Sequence, residues 1–263
     1  MVCPRLDAYL TDEKFFESRN RASRAVRNGY VTVNGETAIK PSLRVVPGDK
    51  VTVLGNPLPY VSKAALKLRL FLDETDLDVS GLKICDAGSS TGGFSQILLL
   101  RGASFIWAVD VGTGQLHPSL AGDPRLSLHE KCDIRDFLTA PPQGLEMITA
   151  DLSFISLRRV IPIMAGAGVP VLLLFKPQFE TPPHKKNKRG VVTHLRCHET
   201  ALDSFRDYLL KEGFFPLIIK RSQVLGGEGN REYFIFCERK ASAVITPDDI
   251  KREVYKDEDF LDL

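Results

Sequence analysis

Four ionisable side chains stand where an otherwise apolar pattern leaves no room for them. Lys67 lies in the helical stretch Ser62-Lys63-Ala64-Ala65-Leu66-Lys67-Leu68, and Asp151 ends the apolar run 147–150. Lys176 ends the most apolar run of the chain, 169–175, and Glu232 opens the run 233–237. Two ammonium groups and two carboxylates gathered at one point are equipment for moving a proton and for stabilising charge on a reacting oxygen. In an open α/β sheet the carboxyl ends of the strands face one crevice, so Asp151 and Lys176 are expected to converge there. Taken singly, each of the four also fits a surface residue covering the core.

What that crevice holds is written in Leu82-Lys83-Ile84-Cys85-Asp86-Ala87-Gly88-Ser89-Ser90-Thr91-Gly92-Gly93-Phe94. The pattern is a short buried strand, a loop of small residues, and a helix apolar through Leu100. Small residues let a ligand approach the backbone, and a helix start offers unpaired N–H donors. Gly88, Gly92 and Gly93 have the wrong spacing for a dinucleotide fingerprint. Asp86 stands where a carboxylate would meet the cation of an amino-acid moiety. Asp110, with Val111 after it, ends the run 105–109, where an acid suits a ribose. Asp-x-Gly, Gly-Gly and a strand-end acid resemble the S-adenosylmethionine loop of Rossmann-like methyltransferases. The cofactor residues expected are Asp86, Gly88, Ser89, Ser90, Thr91, Gly92, Gly93, Phe94, Asp110 and Val111.

The elements that must position these residues follow from the alternation of apolar runs with helical stretches, which predicts a mainly parallel α/β sheet covered on both faces. The runs 215–219 and 233–237 are joined by the glycine-rich loop 226–230 without a helix, so they are expected to form an antiparallel pair at one edge. Residues 1–55 read as a separate small α+β module. Arg19, Arg21, Arg24 and Arg27 fall on a basic helix that ends at Asn28-Gly29. Tyr30-Val31-Thr32-Val33 then alternates as a strand, and Asn34-Gly35 signals a two-residue turn. Residues 56–61 are a proline-interrupted linker, and 62–263 form the larger domain. The acid-rich tail from Thr246 reads as a terminal helix or a frayed end.

Arg5-Leu6-Asp7, Ser18-Arg19, Gly29 to Gly35 and Pro47-Gly48-Asp49 closely match the S4 RNA-binding fold, which implies cations presented to folded RNA by shape and phosphate charge. Lys67, Asp151, Lys176 and Glu232, in that order, look like the tetrad of FtsJ-type ribose 2′-O-methyltransferases. With the S4 module in front, essentially the whole chain resembles the TlyA family, once called haemolysins and understood as rRNA methyltransferases. The resemblance implies S-adenosyl-L-methionine as cofactor, ribosomal subunits as partners, and a cytidine ribose as acceptor. Lys176 is expected to orient the 2′-oxygen and stabilise its developing charge, with general-base action secondary. Asp133 is implied at the adenine end of the cofactor, and Arg5, Arg19, Arg21, Arg24, Arg27 and Lys63 on RNA. Lys63 departs from the arginine common in the family, and the linker lacks the tryptophan of some members. The basic run 185–189 falls in a loop that reads either as solvated chain or as a phosphate-binding lip.

Composition excludes several classes. The net charge of +2 is too small to argue from, and 43% apolar residues suit a protein with a sizeable core. Five widely spaced cysteines suggest neither a disulfide framework nor a zinc site, and the five histidines have no ligand spacing, so no metal is expected. No secretory pattern opens the sequence, and the longest apolar run is far below the roughly 20 residues that span a bilayer. A cytoplasmic enzyme without membrane contact is therefore expected. Three rivals stay open: a membrane-active haemolysin, a non-catalytic RNA-binding protein on a methyltransferase fold, and a small-molecule methyltransferase. The target nucleotide, the choice of subunit and the oligomeric state have no signature in the sequence.

Overall fold

The computed structural model describes residues 3–27, 30–38, 40–53, 60–241 and 243–256. The helix end expected at Asn28-Gly29, the linker as far as Pro59, and the side chains of Arg24 and Arg27 lie outside the described residues. The chain divides into two compact units, Met1–Pro59 and Tyr60–Asp262.

In the first unit, helices α1 (Leu6–Asp12) and α2 (Arg19–Arg27) accompany strands β1 (Val31–Val33), β2 (Glu36–Thr37) and β3 (Val51–Val53). The sheet order is β2-β1-β3, antiparallel throughout. Asn34 and Gly35 both have positive φ, 53° and 86°, the backbone that a two-residue hairpin turn demands. Leu6, Leu10, Ala22, Ala25, Val26 and Val31 close a small core of their own.

The second unit opens with α3 (Lys63–Glu74), β4 (Lys83–Ala87), α4 (Gly93–Leu100), β5 (Phe105–Val109) and β6 (Leu126–His129). It continues through α5 (Ile134–Phe137), β7 (Met147–Ala150), α6 (Ile161–Gly166), β8 (Val171–Phe175) and α7 (Pro177–Glu180). It ends with α8 (Leu195–Lys211), β9 (Phe215–Arg221), β10 (Tyr233–Glu238) and α9 (Pro247–Tyr255). The seven strands are ordered β6-β5-β4-β7-β8-β10-β9. Pairing is parallel from β6 to β8, while β10 runs antiparallel to both β8 and β9. The reversed strand thus belongs to the expected edge pair and lies inside β9. The terminal segment is helical in α9, held by a capping box between Thr246 and Asp249.

Alternation assigns the two faces of the sheet. Cys85, Ala87, Val171, Leu173 and Phe175 pack on one side with α6, α8 and α9. Ile84, Leu172, Leu174 and Phe234 pack on the other with α3 and α4. Burial pushes the Cys85 and Cys237 thiols up, as befits small core residues. Strand order reverses between β4 and β7, which makes their carboxyl ends the switch point where open sheets of this kind take ligands.

Candidate active site

Register brings the strand ends level. Ala87 of β4 pairs with Val109 of β5 and with Ala150 of β7, so Gly88, Asp110 and Asp151 emerge side by side. On β10 Tyr233 pairs with Phe175 of β8. Because β10 is reversed, Glu232 precedes its strand at the same end of the sheet where Lys176 follows its own.

Lys67 arrives from α3 by a second register. Phe71, one turn further along α3, stacks on Phe234 with ring centroids 4.6 Å apart. Lys67 and Phe71 share a helix face, and Glu232 and Phe234 share a strand face. The ion pair is the next rung: Lys67 Nζ lies 2.6 Å from Glu232 Oε2, with both side chains buried. Gln178 Nε2 donates to the other oxygen of Glu232 at 3.2 Å. A Cβ on Gly226 would collide with the Glu232 carboxylate, so the glycine loop leaves that group its room.

Lys176 Nζ lies 2.7 Å from Asp151 Oδ1 and donates to Ser153 Oγ at 2.8 Å. The Asp151 contact has the distance of an ion pair without hydrogen-bond alignment, and Oδ1 is a buried oxygen lacking a hydrogen bond. Asp151 therefore acts on the ammonium through charge at close range, while Ser153 takes the directed bond. An ammonium has three donors and Ser153 takes one of them, so donors remain for a ligand beyond these two neighbours. All four side chains line one cavity of about 570 Å³, together with Ser153, Phe154, Gln178, Lys186 and Arg189.

A second cavity of about 470 Å³ adjoins the first through Asp151, Ser153 and Phe154. It is lined by Gly88, Ser90, Asp110, Val111 and Asp133 with apolar Val109, Ile134, Leu152, Ile155 and Val160. Ser89, Thr91, Gly93 and Phe94 line a smaller recess beside Gly88 and Asp151. Gly88 has φ +80°, and a Cβ there would stand 2.9 Å from the Asp151 carbonyl oxygen. Ser89 Oγ is buried without a hydrogen-bond partner at this recess. Asp110 accepts from the Ser90 and Gly112 N–H groups at 2.8 and 2.7 Å. A carboxylate has about four acceptor sites, so capacity remains. Asp133 caps α5 and pairs with Arg135, whose guanidinium holds its carboxyl below the usual range. An apolar slot lined by Asp110 and Asp133, beside a recess with an orphaned hydroxyl, fits an adenosine carrying an amino-acid tail.

Two expected cofactor contacts are placed differently. Asp86 is fully buried and lines none of these cavities. Alternation turns it toward α4, where it accepts from Ser95 N and Oγ at 2.9 and 2.6 Å and from Thr149 Oγ1 at 3.2 Å. Burial pushes its carboxyl up to about 6. Its contribution is to tie β4 to α4 and to β7. Gly92 also lies off the cavities, as the left-handed N-cap of α4.

Among the expected RNA contacts, Arg5 and Arg19 both reach Asp7, at 2.8 and 3.3 Å, while their own side chains stay exposed. Arg21 pairs with Glu17 one turn away. Lys63 opens α3 and lines none of the three cavities. The basic run is an ordered turn: Asn187 Oδ1 accepts from the N–H groups of Arg189 and Val191 at 2.9 and 3.0 Å.

Ser153, Phe154 and Gln178 stand in the site without an expected role from sequence. Phe154 is 93% exposed at the mouth of both cavities, with φ +65°, and its ring lies 5.7 Å from that of Phe179. Its place shortly after a strand-end acid was the available signal. No group of three or more metal-ligating side chains occurs among the described residues.

Known proteins resemble this chain along most of its length. The FtsJ-like methyltransferase model matches residues 60–239 and the S4 domain model residues 4–51. The 23S rRNA (cytidine-2'-O)-methyltransferase TlyA of Campylobacter jejuni is 36% identical over 83% of this chain and 93% of its own. The 16S/23S rRNA (cytidine-2'-O)-methyltransferase TlyA of Mycobacterium tuberculosis is 32% identical over 96% of both chains. A solved structure from Streptococcus thermophilus, provisionally named a hemolysin, superposes with a TM-score of 0.73 at 33% identity, over 97% of this chain and 95% of that one.

Proposed function

Since the chain belongs to the TlyA family of FtsJ-like methyltransferases with an S4 domain, we propose that it methylates a ribose 2′-hydroxyl of ribosomal RNA, on a cytidine, using S-adenosyl-L-methionine. The observation that carries the proposal is the cavity where Lys67–Glu232 and Lys176–Asp151 meet, adjoining the slot at the switch point.

S-Adenosylmethionine, when bound, supplies a methyl group already activated on a sulfonium. Asp110, Asp133 and the cavity-lining residues Gly88 to Thr91, Gly93 and Phe94 would hold it. What remains for the chain is to align an unactivated hydroxyl and help it lose its proton. Alignment is the larger contribution, since near-attack geometry supplies ~7–11 kcal/mol. A remaining donor of Lys176 points the ribose oxygen and stabilises its negative charge; the Lys67–Glu232 pair braces the wall beside it. A pyrimidine-carbon methylation would need a thiolate next to the base, and among the described residues no cysteine lines the tetrad cavity.

Phe154 offers an exposed ring for a target base to stack on, and Lys186 and Arg189 offer charge for flanking phosphates. The S4 unit supplies Arg5, Arg19 and Arg21. No helix among the described residues is long and apolar enough to cross a membrane.

Incubation with methyl-labelled S-adenosylmethionine and either ribosomal subunits or lipid vesicles separates the readings. Label in RNA supports the enzyme; vesicle leakage without label supports the haemolysin and overturns the proposal.

A further inference from the structure

Beyond the tetrad, one buried acid joins the two segments that carry half of it. Glu180 ends α7, four residues after Lys176, and its side chain is almost fully buried. Its Oε2 accepts from Ser156 Oγ at 2.8 Å, and its Oε1 from the Leu157 N–H at 2.7 Å. Arg158 Nε stands 3.6 Å from the same carboxylate. Ser156 and Leu157 begin the short helical turn that closes the segment after β7. That segment is tied to the sheet at its start, where the Asp151 N–H donates to the Ala87 carbonyl oxygen. Glu180 ties its other end.

Between the two ties lie Ser153, which accepts from Lys176, and Phe154, a bulky residue in the left-handed region. Such a backbone persists only where its surroundings over-determine it. We propose that Glu180 is a positioning residue: it clamps segment 151–157 to the Lys176 segment, so that Asp151 and Ser153 hold the ammonium and Phe154 faces the cavity mouth. The carboxylate acts here through its two acceptor oxygens, and no charge need reach the reacting atoms.

The chemistry of the clamp makes it testable by a conservative exchange. In Glu180→Gln the amide oxygen accepts from Leu157 N–H, and the amide nitrogen donates to Ser156 Oγ, a hydroxyl able to reverse its role. Glu180→Ala removes both bonds.

The test uses the full chain in two measurements. Hydrogen exchange needs no turnover: Glu180→Ala is expected to speed exchange across residues 153–157, with Glu180→Gln keeping wild-type protection. Methyl transfer to ribosomal RNA rests on the function proposed above. There Glu180→Ala is expected to lower kcat about a hundredfold, the cost of ~1 Å misplacement, and Glu180→Gln to restore it. If Glu180→Ala does not fold, Ser156→Ala removes one arm and is expected to give a smaller effect of the same kind. Wild-type exchange at 153–157 in Glu180→Ala overturns the clamp, and a Glu180→Gln as slow as Glu180→Ala overturns it in favour of a charge effect. A wild-type protein that methylates no RNA refutes the ribose reading, while exchange still decides the clamp.

Discussion

Lys67 and Glu232, 165 positions apart, form a buried ion pair at 2.6 Å. The pair exists because α3 crosses β10 with Phe71 on Phe234, which sets the register of everything one rung away. Removing one partner of a buried pair leaves the other charge stranded, at ~3–5 kcal/mol. Lys67→Met is therefore expected to lower stability by about that amount and to abolish turnover. Adding Glu232→Gln is expected to recover most of the stability and none of the activity. Chemical denaturation of the single and double variants, beside methyl transfer, checks both parts; recovery of activity in the double variant would contradict the assignment.

Lys176 is tested through turnover and cofactor affinity. Its loss removes a donor aimed at a developing oxyanion, which costs about 10²–10³ in kcat. Calorimetry with S-adenosylmethionine is expected to give Lys176→Ala an affinity close to wild type, because the cofactor slot is lined without it.

Phe154 contributes little to the core at 93% exposure. Stacking of a base on an aromatic ring is worth ~1–3 kcal/mol. Phe154→Ala is thus expected to reduce kcat/KM for RNA by one to two orders of magnitude with an unchanged melting temperature. A large fall in stability would place the ring in the fold instead.

Asp86 tests electrostatics by pH. Its carboxyl is pushed up to about 6 by burial, against Ser95 and Thr149 hydrogen bonds that oppose the shift. A carboxyl raised from an ordinary value of ~3.9 makes the native state bind more protons than the unfolded chain between the two values. Stability from this group is therefore full below the ordinary value and is lost as pH rises through about 6. The full penalty above that pH is on the order of 3 kcal/mol. Asp86→Asn keeps the hydrogen-bonding shape without the charge. It is expected to stabilise the protein at pH ~8, with a gain that shrinks toward pH ~4, as thermal melts at the two pH values would show.

The parts of the site legible in sequence were those marked by a change of pattern. Asp110, Asp151 and Lys176 each end an apolar run, and parallel strands align such ends. Glu232 was legible because a helix-free loop implied a reversed strand. Asp86 points elsewhere than its motif suggested, since it stands one residue inside its strand and alternation turns it toward Ser95. Phe154 and Glu180 were silent for a different reason. A phenylalanine reads as core and a glutamate at a helix end reads as surface, and the backbone N–H of Leu157 that fixes Glu180 has no signature in sequence.

Alkaline hydrolysis of labelled RNA reaches the central claim most directly. A methylated 2′-oxygen cannot attack its neighbouring phosphate, so label placed there survives alkali in dinucleotides, whereas label on a base is released in mononucleotides. Wild-type protein with ribosomal subunits is expected to leave its label in alkali-stable dinucleotides, and Lys176→Ala to leave almost none. Label recovered in mononucleotides, or equal labelling by Lys176→Ala, would contradict the account.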